Sequence, residues 1–260
     1  MKAFLLAAGE GRRLRPLTDT VPKCLVPIGG TPLLAIWLTA LERGGVTDVL
    51  VNLHYAHERV REFLDDWRSS LRVHTAYEPA LLGSAGTVLT NRGFVHDEDS
   101  FLIAYADNLT TLDLGRMTAF HDSTTTALTL GVSPTDRPSQ KGTVVLDDRG
   151  RVVLFEEKAP QPRSNLANAG VYLARQRMFD YFPTGMPASG VLDFGFDVLP
   201  RMAPDLTAYR VEELLIDIGT LEDYARAQEL WAADRRRAQS AAKNPTSSAA
   251  TTSSSGWTHA

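Results

Sequence analysis

The sequence predicts an α/β fold: a single doubly wound, mostly parallel mixed sheet, with a small antiparallel part in its second half. Three observations point there. Short apolar runs alternate with helical patterns through residues 3–105, which implies repeated strand–helix–strand units with right-handed crossovers. The first apolar run opens directly onto a glycine-rich loop. Beyond residue 127 strands follow one another through turn residues and the helical patterns thin out.

Ala3–Ala7 reads as a buried strand. Pro32–Arg43 reads as a helix with Leu33, Leu34, Ile36, Trp37, Ala40 and Leu41 on its apolar side, stopped by Gly44-Gly45. Val49–Leu53 is the next strand, Ala56–Arg68 an amphipathic helix and Val73–Tyr77 a third strand. Ser84–Arg92 reads as a helix with Ser84 as N-cap, and Phe101–Tyr105 as a fourth strand. Ala127–Val132, Gly142–Leu146 and Val152–Phe155 read as antiparallel strands, with Asp147-Asp148-Arg149-Gly150 as a hairpin turn. Ala167–Leu173 is another strand, Phe194–Met202 a helix capped by Asp193, Leu214–Ile218 a last buried strand and Leu221–Arg235 a final helix. The sequence thus predicts one domain over 1–235. Residues 236–260, mostly Ala, Ser and Thr, are expected to form a disordered tail.

Bulk properties narrow the partners. With 260 residues and 43% hydrophobic content the chain can bury one sizeable core. A net charge of -4 gives no broad basic field, which argues against a nucleic-acid partner. The single cysteine, Cys24, cannot form an internal disulfide and fits a reducing cytosol. The six histidines have no Cys partners at zinc spacing. No apolar run approaches the roughly 18 residues that span a bilayer, and the first strand follows Met1-Lys2 with no cleavage-like region, so a cytoplasmic location without membrane partners is expected.

The loop after the first strand is the strongest chemical signal. Gly9 and Gly11 let backbone N–H groups approach a polyphosphate, Arg15 offers a planar fork of donors and Lys23 a compact ammonium. The loop is not a Walker A motif, since no Gly-Lys-Ser/Thr closes it. It is a poor dinucleotide fingerprint as well, because Leu14 stands where a third small residue belongs and Pro16 breaks the helix that would follow. This disfavours a dehydrogenase.

In open parallel sheets ligands bind beyond the carboxyl ends of the strands. Asp107 leaves the fourth strand and Asp217 lies in the last. A lone aspartate at such a place is most often a cap or turn residue. A pair beside the loop suits Mg²⁺, which takes one or two carboxylates plus substrate phosphates. Glu78 follows the third strand. Its carboxylate only accepts hydrogen bonds, so it matches the two adjacent donors of guanine, though one donor of a pyrimidine would also serve. Gly83 and Gly86 either let the backbone lie against a planar base or simply turn the chain into a helix. Glu157 and Lys158 are either a solvated charge cluster or a sugar-hydroxyl and a sugar-phosphate contact. Asn168 is either a satisfied core amide or a sugar ligand, and Gly142 leaves room for a sugar ring.

Together these residues resemble the sugar-1-phosphate nucleotidyltransferase family over residues 2–231. The strongest part is Leu6-Ala-Ala-Gly-Glu-Gly-Arg-Arg-Leu-Arg-Pro with Pro22-Lys23. Glu78–Thr87, Asp107, Glu157-Lys158, Asn168-Ala-Gly, Asp193-Phe-Gly-Phe-Asp-Val-Leu-Pro and Asp217-Ile-Gly-Thr support it, in the family's order. The resemblance implies a Rossmann-like nucleotidyltransferase fold whose antiparallel part binds the sugar. It implies an enzyme that joins a nucleoside triphosphate to a sugar 1-phosphate with loss of pyrophosphate, using Mg²⁺ on Asp107 and Asp217. Leu6, Ala7, Ala8, Gly9, Gly11, Glu78, Gly83 and Ala85 would contact the nucleotide. Gly142, Glu157, Lys158 and Asn168 would contact the sugar phosphate. Arg15 would neutralise the triphosphate and the leaving pyrophosphate, and Lys23 would hold the phosphates.

Gly83-Ser-Ala-Gly-Thr is most similar to mannose-1-phosphate and manno-heptose-1-phosphate guanylyltransferases, so GTP is the expected triphosphate. Uridylyl or thymidylyl transfer to another sugar 1-phosphate and a non-catalytic nucleotide-sugar-binding regulator are the alternatives. A homo-oligomer stays open. One departure stands out: many members carry glycine before the metal aspartate, where this chain has Ala106, whose methyl would crowd the site.

Overall fold

The computed structural model describes residues 1–243 apart from Met186 and Ala188. The chain opens with β1 (Lys2–Leu6), passes through a loop of 3-10 turns and a clip made of β2 (Pro27–Ile28) and β3 (Thr31–Pro32), and enters α1 (Leu33–Arg43). Then come β4 (Asp48–Leu53), α2 (His57–Asp66), β5 (Arg72–Tyr77), α3 (Ser84–Thr90), β6 (Ser100–Tyr105), β7 (Asn108–Thr110) and α4 (Leu114–Asp122). The second half holds β8 (Leu128–Pro134), β9 (Gly142–Leu146), β10 (Val152–Glu157), β11 (Leu166–Arg175), a π turn over Phe194–Val198, α5 (Leu199–Met202), β12 (Leu206–Arg210), β13 (Leu215–Asp217) and α6 (Leu221–Lys243).

One mixed sheet carries the order β10-β9-β11-β6-β1-β4-β5, with β8 joined to β11 and β12 to β8. β1 runs parallel to β4 and β6, and β4 parallel to β5. β11 is antiparallel to β6, β8 and β9, and β10 is antiparallel to β9. The architecture is the mostly parallel α/β sheet with an antiparallel part that the sequence predicts.

Alternation along the strands builds a core on each face. Ala3 and Leu5 of β1 pack with Leu34, Trp37, Leu38 and Leu41 of α1. Phe4 points the other way, into the core of Val88, Phe101 and Ile103. The covering helix α1 ends at Gly44, whose N–H donates to Ala40 O at 2.9 Å. The fully buried Trp37 also donates from its indole to Asn108 O at 2.7 Å, which fixes the chain just after β6.

Three expectations need correction. Ser84 is not the cap of α3: Gly83 holds that position, and the Ser84 hydroxyl donates to Asp193 instead, at 3.0 Å. The segment expected as a last buried strand of the sheet is the half-buried β13, which leaves the main sheet and pairs with β7, Asp217 opposite Asn108. Residues 236–243, expected to open a tail, belong to α6, which runs through Lys243. Arg, Ala and Gln are strong helix formers even where there is little to bury. Residues 244–260, the rest of that expected tail, lie outside the described residues.

Candidate active site

A cleft of about 930 Å³ opens at the carboxyl ends of β1 and β6, where the parallel and antiparallel parts meet. Arg13, Asp107, Lys141 and Asp217 line one part of it, and Gly142, Glu157, Lys158, Asn168 and Asp193 another.

The loop after β1 is held from behind. Ala7 N–H donates to Asn52 Oδ1 at 2.7 Å, and Leu6 O accepts from Ala106 N–H at 3.0 Å. Ala8 is buried. A Cβ on Gly9 would meet nothing within 4 Å, so the backbone there borders open space. Gly11 takes a φ of +65°, and a Cβ on it would lie 2.9 Å from the Thr18 methyl and 3.1 Å from Lys23 Cβ. Glycine is required at that point for the loop to close over Lys23.

Lys23 is 8% exposed, and its ammonium lies 2.6 Å from Asp107 Oδ2. Lys141 lies 2.5 Å from Asp217 Oδ2. Register joins the two pairs: β13 against β7 sets Asp217 opposite Asn108, and Ile218 N–H donates to Asp107 O at 3.1 Å. Burial alone would push the Asp217 carboxyl up. The charges of Lys141, Lys23 and Arg13 outweigh it and hold the carboxyl below the usual carboxylate range. All three cations therefore act on one carboxylate.

The structure separates Arg15 from this group. Its guanidinium pairs with Asp19 at 3.2 Å, is 60% exposed, and does not line the cleft. Arg13 does, and its Nη2 lies 3.4 Å from where a Cβ on Gly219 would stand. Leu14 explains the difference: it closes the 3-10 turn Arg12–Leu14 and is fully buried, which leaves Arg13 on the cleft side while Arg12 pairs with Glu10.

Glu78 also departs from expectation. It is 3% exposed. Its Oε1 accepts from Thr87 Oγ1 at 2.5 Å and from Asn52 Nδ2 at 3.0 Å, and Leu82 N–H reaches Oε2 at 3.3 Å. Through Asn52 this network ends on the Ala7 N–H, so Glu78 braces the loop after β1 against α3 and is enclosed. Ala85 is fully buried, and its N–H donates to Leu192 O at 2.9 Å, so it is not presented to a nucleotide. Gly83, at φ +80°, lies against the Leu192 backbone for the same reason.

The four residues expected to contact the sugar phosphate do converge on the cleft. Gly142 lies so close to Glu157 that a Cβ would fall 2.5 Å from its Oε2. Burial raises the Glu157 carboxyl above its usual range, against the opposing charge of Lys158. Lys158 lies over the Phe196 ring, 5.4 Å from its centroid. Asn168 faces the cleft with its amide already engaged, accepting from Gly170 N–H and donating to Tyr172 Oη, both at 2.8 Å. Ala106 is fully buried in the α1 core, so its methyl points away from the cleft and does not crowd it.

Among the described residues no group of three or more His, Cys, Asp and Glu gathers as a metal cage. Two carboxylates facing one cleft are a hard-oxygen donor set of the kind Mg²⁺ completes with substrate phosphates. Lys141 is the functional candidate that sequence reasoning missed, and Arg13 is one that it counted among the cations near the loop but gave no role of its own. The signals were the buried Leu14 for Arg13, and the place of Lys141 immediately before Gly142.

Comparison with known proteins bears on the family and the fold. The family description "Nucleotidyl transferase" matches residues 2–233. Mannose-1-phosphate guanylyltransferase 1 of Arabidopsis thaliana is 31% identical over 94% of this chain and 68% of its own length. The UTP–glucose-1-phosphate uridylyltransferase of Synechocystis sp. is 31% identical over 87% of this chain and 62% of its own. The chain thus spans about two thirds of the length of these curated relatives. The crystal structure of HddC from Yersinia pseudotuberculosis complexed with GMP-PN superposes with a TM-score of 0.72 at 25% identity, over 88% of this chain and 99% of that one.

Proposed function

From the premise that the chain belongs to the nucleotidyl transferase family, we propose that it transfers a nucleoside monophosphate from a nucleoside triphosphate to a sugar 1-phosphate. GTP and a mannose- or manno-heptose-type sugar are the substrates this reading favours. The observation that carries it is the cleft in which Arg13, Lys141, Asp107 and Asp217, with Lys23 buried behind Asp107, meet the wall of Gly142, Glu157 and Lys158. The Arabidopsis relative supports the guanylyl and mannose choices. Glu78, being enclosed, does not bear on the base.

In the proposed reaction a phosphate oxygen of the sugar 1-phosphate attacks the α-phosphorus in line. The new P–O bond forms as the bond to the β-phosphate breaks, and pyrophosphate leaves. The attacking phosphate is already ionised, so no general base is needed. Two anions must be brought together, and catalysis rests on alignment and charge neutralisation. Arg13 neutralises the triphosphate and the departing pyrophosphate. Lys23, held in place by Gly11, sets a positive charge beneath the reacting phosphates. Lys158 orients the sugar phosphate, and Glu157 accepts from sugar hydroxyls. Asp107 and Asp217 would hold Mg²⁺, which when bound supplies further charge neutralisation at the phosphates. The reading carries a cytoplasmic location with it, in keeping with a single cysteine, Cys24, which cannot form an internal disulfide. Among the described residues no helix is long and apolar enough to cross a membrane.

Pyrophosphate release tests this. GTP, UTP, dTTP and ATP are each offered with mannose, glucose and manno-heptose 1-phosphate. Release with GTP and a manno-configured sugar is the expected result. Release confined to UTP and glucose 1-phosphate replaces it with the uridylyltransferase reading that the Synechocystis relative favours. No release from any pair overturns the transferase reading and leaves the nucleotide-sugar-binding regulator.

A further inference from the structure

Lys141 stands between the two halves of the cleft. It follows the 3-10 turn Pro138–Gln140 and directly precedes Gly142 of β9. Its backbone is tied on both sides: its N–H donates to Pro138 O at 3.2 Å, and its carbonyl accepts from Lys158 N–H at 3.0 Å. The moving part is the four-carbon stem with its ammonium. That ammonium lies 2.5 Å from Asp217 Oδ2, with both side chains about one-third exposed. Its charge is also felt at the Glu157 carboxyl on the sugar wall. Lys23 is a different kind of residue. It is buried under the loop by the close approach of Gly11 and has no comparable freedom to leave Asp107.

An ammonium and a divalent cation compete for one carboxylate, and in a partly desolvated cleft they repel each other strongly. A phosphate dianion is an alternative partner for a displaced ammonium, and the wall assigned to the sugar phosphate begins at the next residue. We propose that Lys141 is an exchangeable counter-ion. It neutralises Asp217 in the free protein and transfers to the sugar phosphate when a divalent cation takes that carboxylate. The identity of the phosphate rests on the transferase reading; the guarding of Asp217 does not. The exchange couples the two ligands, and by linkage the coupling is reciprocal: the sugar phosphate tightens the metal and the metal tightens the sugar phosphate.

The test compares the wild type with Lys141→Met, which keeps most of the apolar stem and removes the charge. Free Mn²⁺ is titrated against each protein by electron paramagnetic resonance with no substrate present. The expected result is Mn²⁺ binding about tenfold tighter in the variant, the effect of losing one competing charged hydrogen bond. In steady-state kinetics the variant should show a KM for the sugar 1-phosphate raised about tenfold, with the KM for the triphosphate unchanged. Lys141→Arg should restore both in part. A merely structural role for Lys141 would not tighten a metal. Equal Mn²⁺ affinity in the two proteins, or an unchanged sugar-phosphate KM, overturns the proposal. Failure of the wild type to turn over any substrate pair overturns the transferase reading instead, and the Mn²⁺ comparison still decides whether Lys141 guards Asp217.

Discussion

The ammonium of Lys23 lies 2.6 Å from Oδ2 of Asp107 across 84 positions of sequence. This contact joins the loop after β1 to the turn after β6 and sets a buried cation beside the carboxylate proposed to hold the metal. Asp107→Asn keeps the shape and removes the charge. Turnover should fall by about 10²-fold or more, the scale of a lost transition-state charge partner, with the far-ultraviolet circular dichroism spectrum unchanged. Near-normal kcat in the purified variant would remove Asp107 from the proposed machinery.

Arg13 and Arg15 sit two positions apart with opposite surroundings. Arg13 faces the cleft, and Arg15 is spent on an exposed pair with Asp19, the kind worth at most about 1 kcal/mol. Arg13→Ala should lower kcat/KM for the triphosphate by about 10²-fold, and Arg15→Ala by less than about threefold. Measuring both variants under one assay is decisive, because the reverse ranking would return the role to Arg15.

Legibility in the sequence followed the range of the contacts. Strand–helix alternation, the Gly44 stop of α1 and the Asp193 cap are local, and each stands where the chain announces it. The pairing of β13 with β7 is not local. An isolated Ile216-Asp217-Ile218 reads equally well as the end of a central strand, and only the return of the chain past Asn108 brings Asp217 beside Asp107. Asp107, Asp217, Glu157 and Lys158 were visible as charges at strand ends. Which of two neighbouring arginines turns inward depended on where Leu14 finds its core. Glu78 was legible as an acceptor, but its partners Asn52 and Thr87 come from two other elements, so nothing nearby in sequence said that it was already satisfied.

The enclosure of Glu78 makes it a stability residue. Glu78→Ala removes the shared acceptor of Asn52 and Thr87; the Thr87 hydroxyl keeps the Gly83 carbonyl, but one Asn52 N–H is left unpaired, at a cost of about 2 kcal/mol. Chemical denaturation should show that loss. In the same protein the order of preference among GTP, UTP, dTTP and ATP should not change; a switched preference would mean that the carboxylate does meet the base.

His121 supplies an acid limit. It is fully buried, its Nδ1 lies 2.7 Å from Thr129 Oγ1, and among the described residues its Nε2 has no partner. Burial, with the Arg175 charge adding to it, lowers its pKa from 6.5 to about 4. The unfolded chain therefore takes up a proton below about pH 6.5 that the folded chain refuses until about pH 4. Stability is fully present above the upper value and is lost as pH falls between the two, by about 3 kcal/mol in total. His121→Asn keeps a polar group near Thr129 and cannot be protonated. Unfolding free energies at pH 7 and pH 4.5 should differ less in that variant than in the wild type, and equal differences would sink the assignment.

Gly83 links the start of α3 to the segment that leads into the Glu157 side of the cleft. Its φ of +80° is strained for any residue with a Cβ, and an added methyl would strike the Leu192 backbone carbonyl. That carbonyl accepts from both Ala85 and Gly86 N–H, so it cannot retreat without opening the start of α3. The next residue, Asp193, lines the cleft, takes the Ser84 hydroxyl and caps the turn that sets Gly195 against Glu157. Gly83→Ala should thus act twice. It should lower stability by about 2 kcal/mol, seen as a drop in Tm, and it should raise the KM for the sugar 1-phosphate more than that for the triphosphate, because the displaced segment carries the Glu157 wall. A variant with lowered Tm and both KM values unchanged would show that the Leu192 segment braces α3 without positioning the sugar side.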